Sequence, residues 1–170
     1  MERHRHGKLL FVCGKMAAGK STLSKELSVR EHAVLLAQDG LLVALFPGEI
    51  VDLAAFVKYT TRIQDALAPH ICSLLSKGVS VVLDFPANTR NQRVWFRQLL
   101  EQTDAEHELH FIVASDELCK RQLKQRSELK GLPPGTKWTT DAADFDEVTA
   151  YFDPPAAEER FNVIRHERRP

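Results

Sequence analysis

Cysteine is scarce in this sequence: Cys13, Cys72 and Cys119 stand far apart and without CxxC spacing. An odd, scattered set of that kind argues against a disulfide framework and a structural zinc site, and reads as three buried thiols in a reducing cytosol. An excess of one charge is missing too. Lys+Arg and Asp+Glu number 23 each, for a formal net charge of +0, so no global field favours nucleic acid or a membrane surface. Neither Gly nor Pro is in excess, and there is no internal repeat or low-complexity tract. No run approaches the roughly 18 apolar residues that a spanning helix needs. The polar start Met1-Glu2-Arg3-His4-Arg5-His6 has no apolar stretch fit for a signal peptide, which leads to the expectation of a cytoplasmic protein. With 170 residues, 44% of them hydrophobic, the expectation is one domain with a sizeable core over residues 1–170. Nothing in the chain signals an oligomeric state.

What is present is an alternation of short apolar runs with longer amphipathic ones, the pattern of an α/β protein with a parallel sheet. Leu9-Leu10-Phe11-Val12-Cys13 is continuously apolar and ends at Gly14, as a first strand buried on both faces would. Leu23 and Leu27 give a one-sided helix over 20–29. A second strand is expected over 33–37, closed by Gln38-Asp39-Gly40. Apolar residues from Leu53 to Leu75 recur at helical intervals with Gly78 as a stop, and Pro69 inside them predicts a kink or break. Further expected elements are a strand over 79–83 ending at Asp84, a helix over 89–102, a strand over 109–114, a helix over 116–129 capped by Ser115, and a last short strand at 161–164. The polar, irregular stretch of about 130–154 reads as a mobile lid.

One motif is specific. GxxxxGK[ST] is matched in full by Gly14-Lys15-Met16-Ala17-Ala18-Gly19-Lys20-Ser21, between an expected strand and an expected helix. Phosphate oxygens need many donors in a concave shell; glycines let the backbone approach, and successive N–H groups converge at a helix N-terminus. Lys20 adds a charge near the β/γ-phosphates, Ser21 a hydroxyl ligand for Mg²⁺, and Thr22 extends the cradle. Binding of ATP or GTP with Mg²⁺ follows.

A phosphotransferase needs more than a cradle. Asp39 follows the second strand at the end where open sheets place their crevice, so a carboxylate there can accept a hydroxyl proton. A turn aspartate before Gly40 is an equally common arrangement. Asp84 closes an apolar strand, as a magnesium-directed Walker B carboxylate does. Lys120, Arg121, Lys124, Arg126 and Lys130 crowd one helix. Arg121 and Arg126 lie about 140° apart around it, so one or two of the set can reach phosphate; Arg126 is favoured, Arg121 second. Asn88 and Arg93 can hold acceptor or phosphate, or equally serve as cap and surface charge. His4, His6, His70, His107, His110 and His166 show no metal-ligand spacing. Trp95 is expected to pack in its helix, and Trp138 to lie in the lid.

Together these segments resemble the small P-loop kinases of the AAA_33 group: Phe11-Val12-Cys13 into GKMAAGKST, Gln38-Asp39, Leu83-Asp84-Phe85-Pro86-Ala87-Asn88-Thr89 with Arg93, and Cys119-Lys120-Arg121 with Arg126. That group is similar to polynucleotide kinase, chloramphenicol phosphotransferase and zeta-type toxin kinases. The resemblance implies a three-layer P-loop NTPase fold like that of nucleoside monophosphate kinases. Its sheet has five parallel strands, helices on both faces and a small lid. The resemblance also implies ATP as donor, Asp39 as base and lid-helix arginines on the phosphates. Polynucleotide kinases carry an arginine three residues after the base, where this chain has Leu42.

The leading expectation is therefore an ATP·Mg²⁺-dependent kinase acting on a hydroxyl of a small molecule held between Asp39, residues 41–59 and the lid. An RNA or DNA 5′-end kinase and a non-catalytic ATP-binding regulator are the alternatives.

Overall fold

The computed structural model describes residues 6–128 and 142–169. Five strands carry the fold: β1 (Lys8–Gly14), β2 (Val34–Ala37), β3 (Val81–Asp84), β4 (Glu106–Val113) and β5 (Val163–Glu167). They form one sheet in the order β2-β3-β1-β4-β5, and every neighbouring pair is parallel. Parallel neighbours need crossovers, supplied by α1 (Lys20–Arg30), α2 (Gln38–Leu45), α3 (Leu53–Ser76), α4 (Arg90–Thr103) and α5 (Asp116–Glu128), with α6 (Ala142–Thr149) preceding β5.

Burial explains why β1 has no polar alternation. Its residues Leu9 through Cys13 are all 0% exposed, because side chains alternate between two covered faces. Leu9, Phe11 and Cys13 enter a core with Ile63, Ile71 and Leu75 of α3 and Phe96 and Leu99 of α4. Leu10 and Val12 face the other way, onto Leu27 of α1 and Val82. That is the expected three-layer α/β arrangement. A third cluster joins Ala17 and Ala18 of the phosphate loop to Leu118, Cys119 and Leu123 of α5 and Phe145 of α6. Cys13 and Cys119 are buried, whereas Cys72 stays partly exposed, so only two of the three thiols are core residues. Trp95 packs against Phe85 and Phe96.

Several elements differ from their sequence-based outlines. Gln38-Asp39-Gly40 is no terminating turn; it is the first turn of α2, which buries Gln38 and Leu42. Gly40 concealed that helix, since glycine in a helix interior costs about 1 kcal/mol relative to alanine. α3 runs unbroken through Pro69. Proline removes one helical hydrogen bond, a cost of about 3 kcal/mol, but Tyr59, Ile63, Ile71 and Leu75 are buried on both sides of it and hold the helix against the sheet. Burying each such side chain is worth about 1.5–3 kcal/mol. β4 begins three residues before its apolar run because Glu106, His107 and Glu108 pair in register with Lys8, Leu9 and Leu10.

The expected lid divides. Residues 129–141, with Gly131, Gly135 and Trp138, lie outside the described residues. Beyond them residues 142–149 are helical, not irregular: Phe145 of α6 is buried against α5, and Lys120 makes a 2.8 Å ion pair with Asp146. Lys120 is thereby committed to holding α6. Among the described residues, no helix is long and apolar enough to cross a membrane.

Candidate active site

The site grows from the C-terminal ends of β1, β2 and β3. After Gly14 the chain turns through Ala17 at φ 59° and Gly19 at φ 101°, left-handed positions that curl backbone N–H groups inward. A side chain at Gly19 would be strained by that φ, and its Cβ would stand 2.1 Å from Arg168 Nη1. The helix α1 then begins without a side-chain cap. By contrast, α3 is capped by Asp52 and α4 by the Thr89–Gln92 capping box. The leading N–H groups of α1 are thus left to an anion.

Lys20 reaches back over this loop, donating to the Gly14 carbonyl at 2.6 Å and the Lys15 carbonyl at 2.8 Å. Burial drives its pKa down to about 8, partly countered by Cys13 and Asp84 and assisted by the Arg126 charge. Lys15 does not join it: its ammonium pairs with Asp116 at the start of α5, 2.5 Å away. Ser21 and Thr22 occupy the first turn of α1 and are solvent-exposed. Arg168, just beyond β5, donates to the Ala18 carbonyl at 2.8 Å. No motif marked Arg168; only the pairing of β5 with β4 brings the chain terminus to the phosphate loop.

Asp84 and Ala37 are register partners at the ends of β3 and β2, so Asp39, two residues on, opens onto the same crevice. Asp39 is exposed in the first turn of α2, with protein packed around the base of its side chain. Desolvation by that packing and the Asp84 charge push its pKa up, while Lys20 and Arg126 pull it down. Lys20, Asp39, Asp84 and Arg126 therefore share one electrostatic environment. Arg121, exposed on the same helix as Arg126, makes no ion pair among the described residues.

Donor chemistry supports a hard cation here. The Ser21 hydroxyl and Asp84 carboxylate offer oxygen donors beside the phosphate cradle, the type that could hold Mg²⁺. Asn88 follows β3 and its side-chain oxygen accepts from Gly14 N at 3.1 Å, which makes it a brace of the loop.

Arg93 corrects an expectation. It is 1% exposed, and its guanidinium clasps both Glu159 oxygens at 2.7 and 2.8 Å. It also donates to the carbonyls of Ala87 and Asp153. Those partners occupy the fork, so Arg93 anchors the chain after α6 and has nothing left for an acceptor. Burial pushes the Glu159 carboxyl up, but the Arg93 hydrogen bonds outweigh this and hold it below the usual carboxylate range.

Sequence spacing also missed a histidine pair. His110 Nδ1 and His166 Nε2, 56 residues apart, meet at 2.8 Å between β4 and β5. His110 Nε2 continues to Glu108 at 3.0 Å, and Glu108 to Lys8 at 2.9 Å.

Three comparisons bear on this arrangement. No curated protein matches the chain. Among solved structures, a proposed kinase from Chloroflexus aurantiacus superposes with a TM-score of 0.77 at 20% identity, covering 96% of this chain and 89% of that one. Kti12 from Chaetomium thermophilum, in complex with ADP-AlF3, gives 0.65 at 14% identity, with 94% and 88% covered. The APS kinase CysC of Mycobacterium tuberculosis, in complex with AMPPNP and APS, gives 0.59 at 16%, with 96% and 89% covered. At these identities the likeness is one of fold. The model of the AAA_33 family, an AAA domain, matches residues 9–155, and with its cradle and sheet order the chain belongs to that group of small P-loop kinases.

Proposed function

We propose that this protein transfers the γ-phosphate of ATP to a hydroxyl of a small-molecule acceptor, with Asp39 as general base. The observation that carries the reading is the pairing of Ala37 with Asp84 at adjacent strand ends, which starts Asp39, two residues on in α2, near Asp84 and within the electrostatic reach of Lys20. The backbone N–H groups of residues 14–22 and the Lys20 ammonium hold the phosphates. Ser21 and Asp84 would hold Mg²⁺, which would supply neutralisation of the phosphate charge. Arg126 supplies positive charge from α5, with Arg121 behind it.

Asp39 takes the acceptor's hydroxyl proton as its oxygen forms a bond to the γ-phosphorus. The bond to the bridging oxygen breaks, and its electron pair leaves with ADP. The raised pKa of Asp39 makes it a stronger base than an ordinary carboxylate. Leu42, at the position where a polynucleotide kinase carries arginine, is 1% exposed in the core and offers no contact to a nucleic-acid end. That favours a small acceptor over an RNA or DNA 5′ terminus.

The test is transfer of label from γ-labelled ATP·Mg²⁺ to a panel of nucleosides, sugars, antibiotics and 5′-hydroxyl oligonucleotides, with Asp39→Asn as control. A labelled product that disappears in the variant, with ATP affinity retained, is the expected result. Equal slow hydrolysis by both forms, without transfer, would instead favour a nucleotide-binding regulator.

A further inference from the structure

Beside the phosphate loop lies a cavity of about 490 Å³, within the size range of small-molecule sites. Met16 of the loop forms one side. Phe56 and Val57 of α3 face Val148 of α6 and the following Tyr151 and Phe152 across it. These are not residues hidden by folding: Val57 is 55% exposed and Tyr151 73%. Large apolar side chains left in water around one concavity mark a site that gains by being filled.

The polar lining is equally selective. Asn88 Oδ1 accepts from Gly14 N, and Gln92 Oε1 accepts from the N–H groups of Asn88 and Thr89. Those bonds fix both amides so that Nδ2 and Nε2, each a donor, remain without a protein acceptor among the described residues. Positive charge, by contrast, is paired among the described residues at this cavity. Lys15, which lines the cavity, is paired with Asp116, and Arg93, below the Asn88–Gln92 turn, is consumed by Glu159. Glu147 at the rim is acidic.

We propose that this cavity holds the body of the phosphate acceptor, its hydroxyl extending past Lys15 and Met16 of the lining toward Asp39, and that the acceptor is an uncharged alcohol with an aromatic or branched aliphatic body and a hydrogen-bond-accepting group for the Asn88 and Gln92 amides. The assignment rests on the phosphotransferase reading above. An anionic acceptor would be desolvated here with no unpaired cation among the described lining residues, and a polyhydroxylated sugar would set its hydroxyls against the Phe56–Phe152 walls; both are costly.

Naphthylethanol, gluconate and adenosine monophosphate serve as probes, their binding to the full chain measured by equilibrium dialysis with and without ATP·Mg²⁺. Val57→Asp and Tyr151→Ala alter exposed positions, and retained melting temperature and ATP affinity verify that each variant is folded. The expected result is that naphthylethanol binds best and that Val57→Asp weakens it about tenfold or more, which corresponds to losing one well-packed apolar contact surface. Binding of naphthylethanol that is absent, or indifferent to both variants, overturns the proposal, as does preferential binding of gluconate or adenosine monophosphate. Transfer of phosphate to an anionic acceptor would overturn it while leaving the kinase reading intact. Variant-sensitive naphthylethanol binding with no transfer to any alcohol would leave the cavity assigned as a neutral-ligand site and remove its role as acceptor site.

Discussion

The Asn88 side-chain oxygen accepts a hydrogen bond from the backbone N–H of Gly14 at 3.1 Å, joining the loop after β3 to the first residue of the phosphate cradle. Gly14 itself is confined, since a Cβ there would lie 3.2 Å from the Ile112 carbonyl oxygen. Asn88→Ala leaves a half-buried N–H unsatisfied, a loss of about 1–3 kcal/mol. Urea unfolding should show that loss, and ATP titration a weaker affinity. Asn88→Asp, which restores the acceptor, should recover much of the stability.

Lys20 gives the ATP site a pH dependence. Its folded pKa is about 8 against an ordinary 10.5, so the ammonium that meets phosphate is lost as pH rises through 8. ATP affinity measured by calorimetry should fall between pH 7 and 9. Near pH 8, binding should be accompanied by proton uptake, visible as a dependence of the heat on buffer ionisation enthalpy, because phosphate raises the lysine's pKa. An affinity flat across that range would mean that Lys20 carries no part of the phosphate binding.

Arg93 is predicted to govern stability and not acceptor recognition. Arg93→Ala strands Glu159 and two carbonyls in the interior, at a cost of about 3–5 kcal/mol. The urea midpoint should drop accordingly, and proteolysis should cut first near 153–160. A variant of unchanged stability with a raised acceptor KM would return Arg93 to the acceptor role.

His110 should make the fold acid-sensitive. Burial lowers its pKa below 6.5 despite the Glu108 hydrogen bond and charge, with His166 and Arg30 adding to the depression. The unfolded chain therefore takes up a proton first. The resulting stability is full above about pH 6.5 and shrinks as pH falls toward the depressed folded value. Melting temperature should decline from pH 7 to pH 5, and His110→Gln should flatten the decline. His107, also lowered by burial, should leave a residual slope.

The readings that survived translation into structure are those with a local physical cause. β1 and the phosphate cradle were legible because a strand buried on both faces is continuously apolar, and because glycine and lysine in that spacing serve one backbone geometry. Ser115 as cap was equally local: its hydroxyl oxygen accepts from Leu118 N at 3.2 Å. Failures arose where distant contacts decide. Pro69 suggested a kink or a break, and the apolar face of α3 keeps the helix unbroken through it. Glu106-His107-Glu108 looked like loop, and pairing with β1 extended the strand through them.

By itself, then, the sequence determined a parallel α/β protein with a phosphate cradle at Gly14–Ser21, since periodicity and backbone chemistry are short-range properties. Tertiary structure alone decided that Arg93 is an anchor, that Arg168 and the His110–His166 pair exist as contacts, and that Phe56 and Phe152 share a cavity. Those outcomes depend on which strands become neighbours. Sheet order β2-β3-β1-β4-β5 brings together residues separated by tens to more than a hundred positions, and a reading of local spacing has no access to charge pairing or burial at that range.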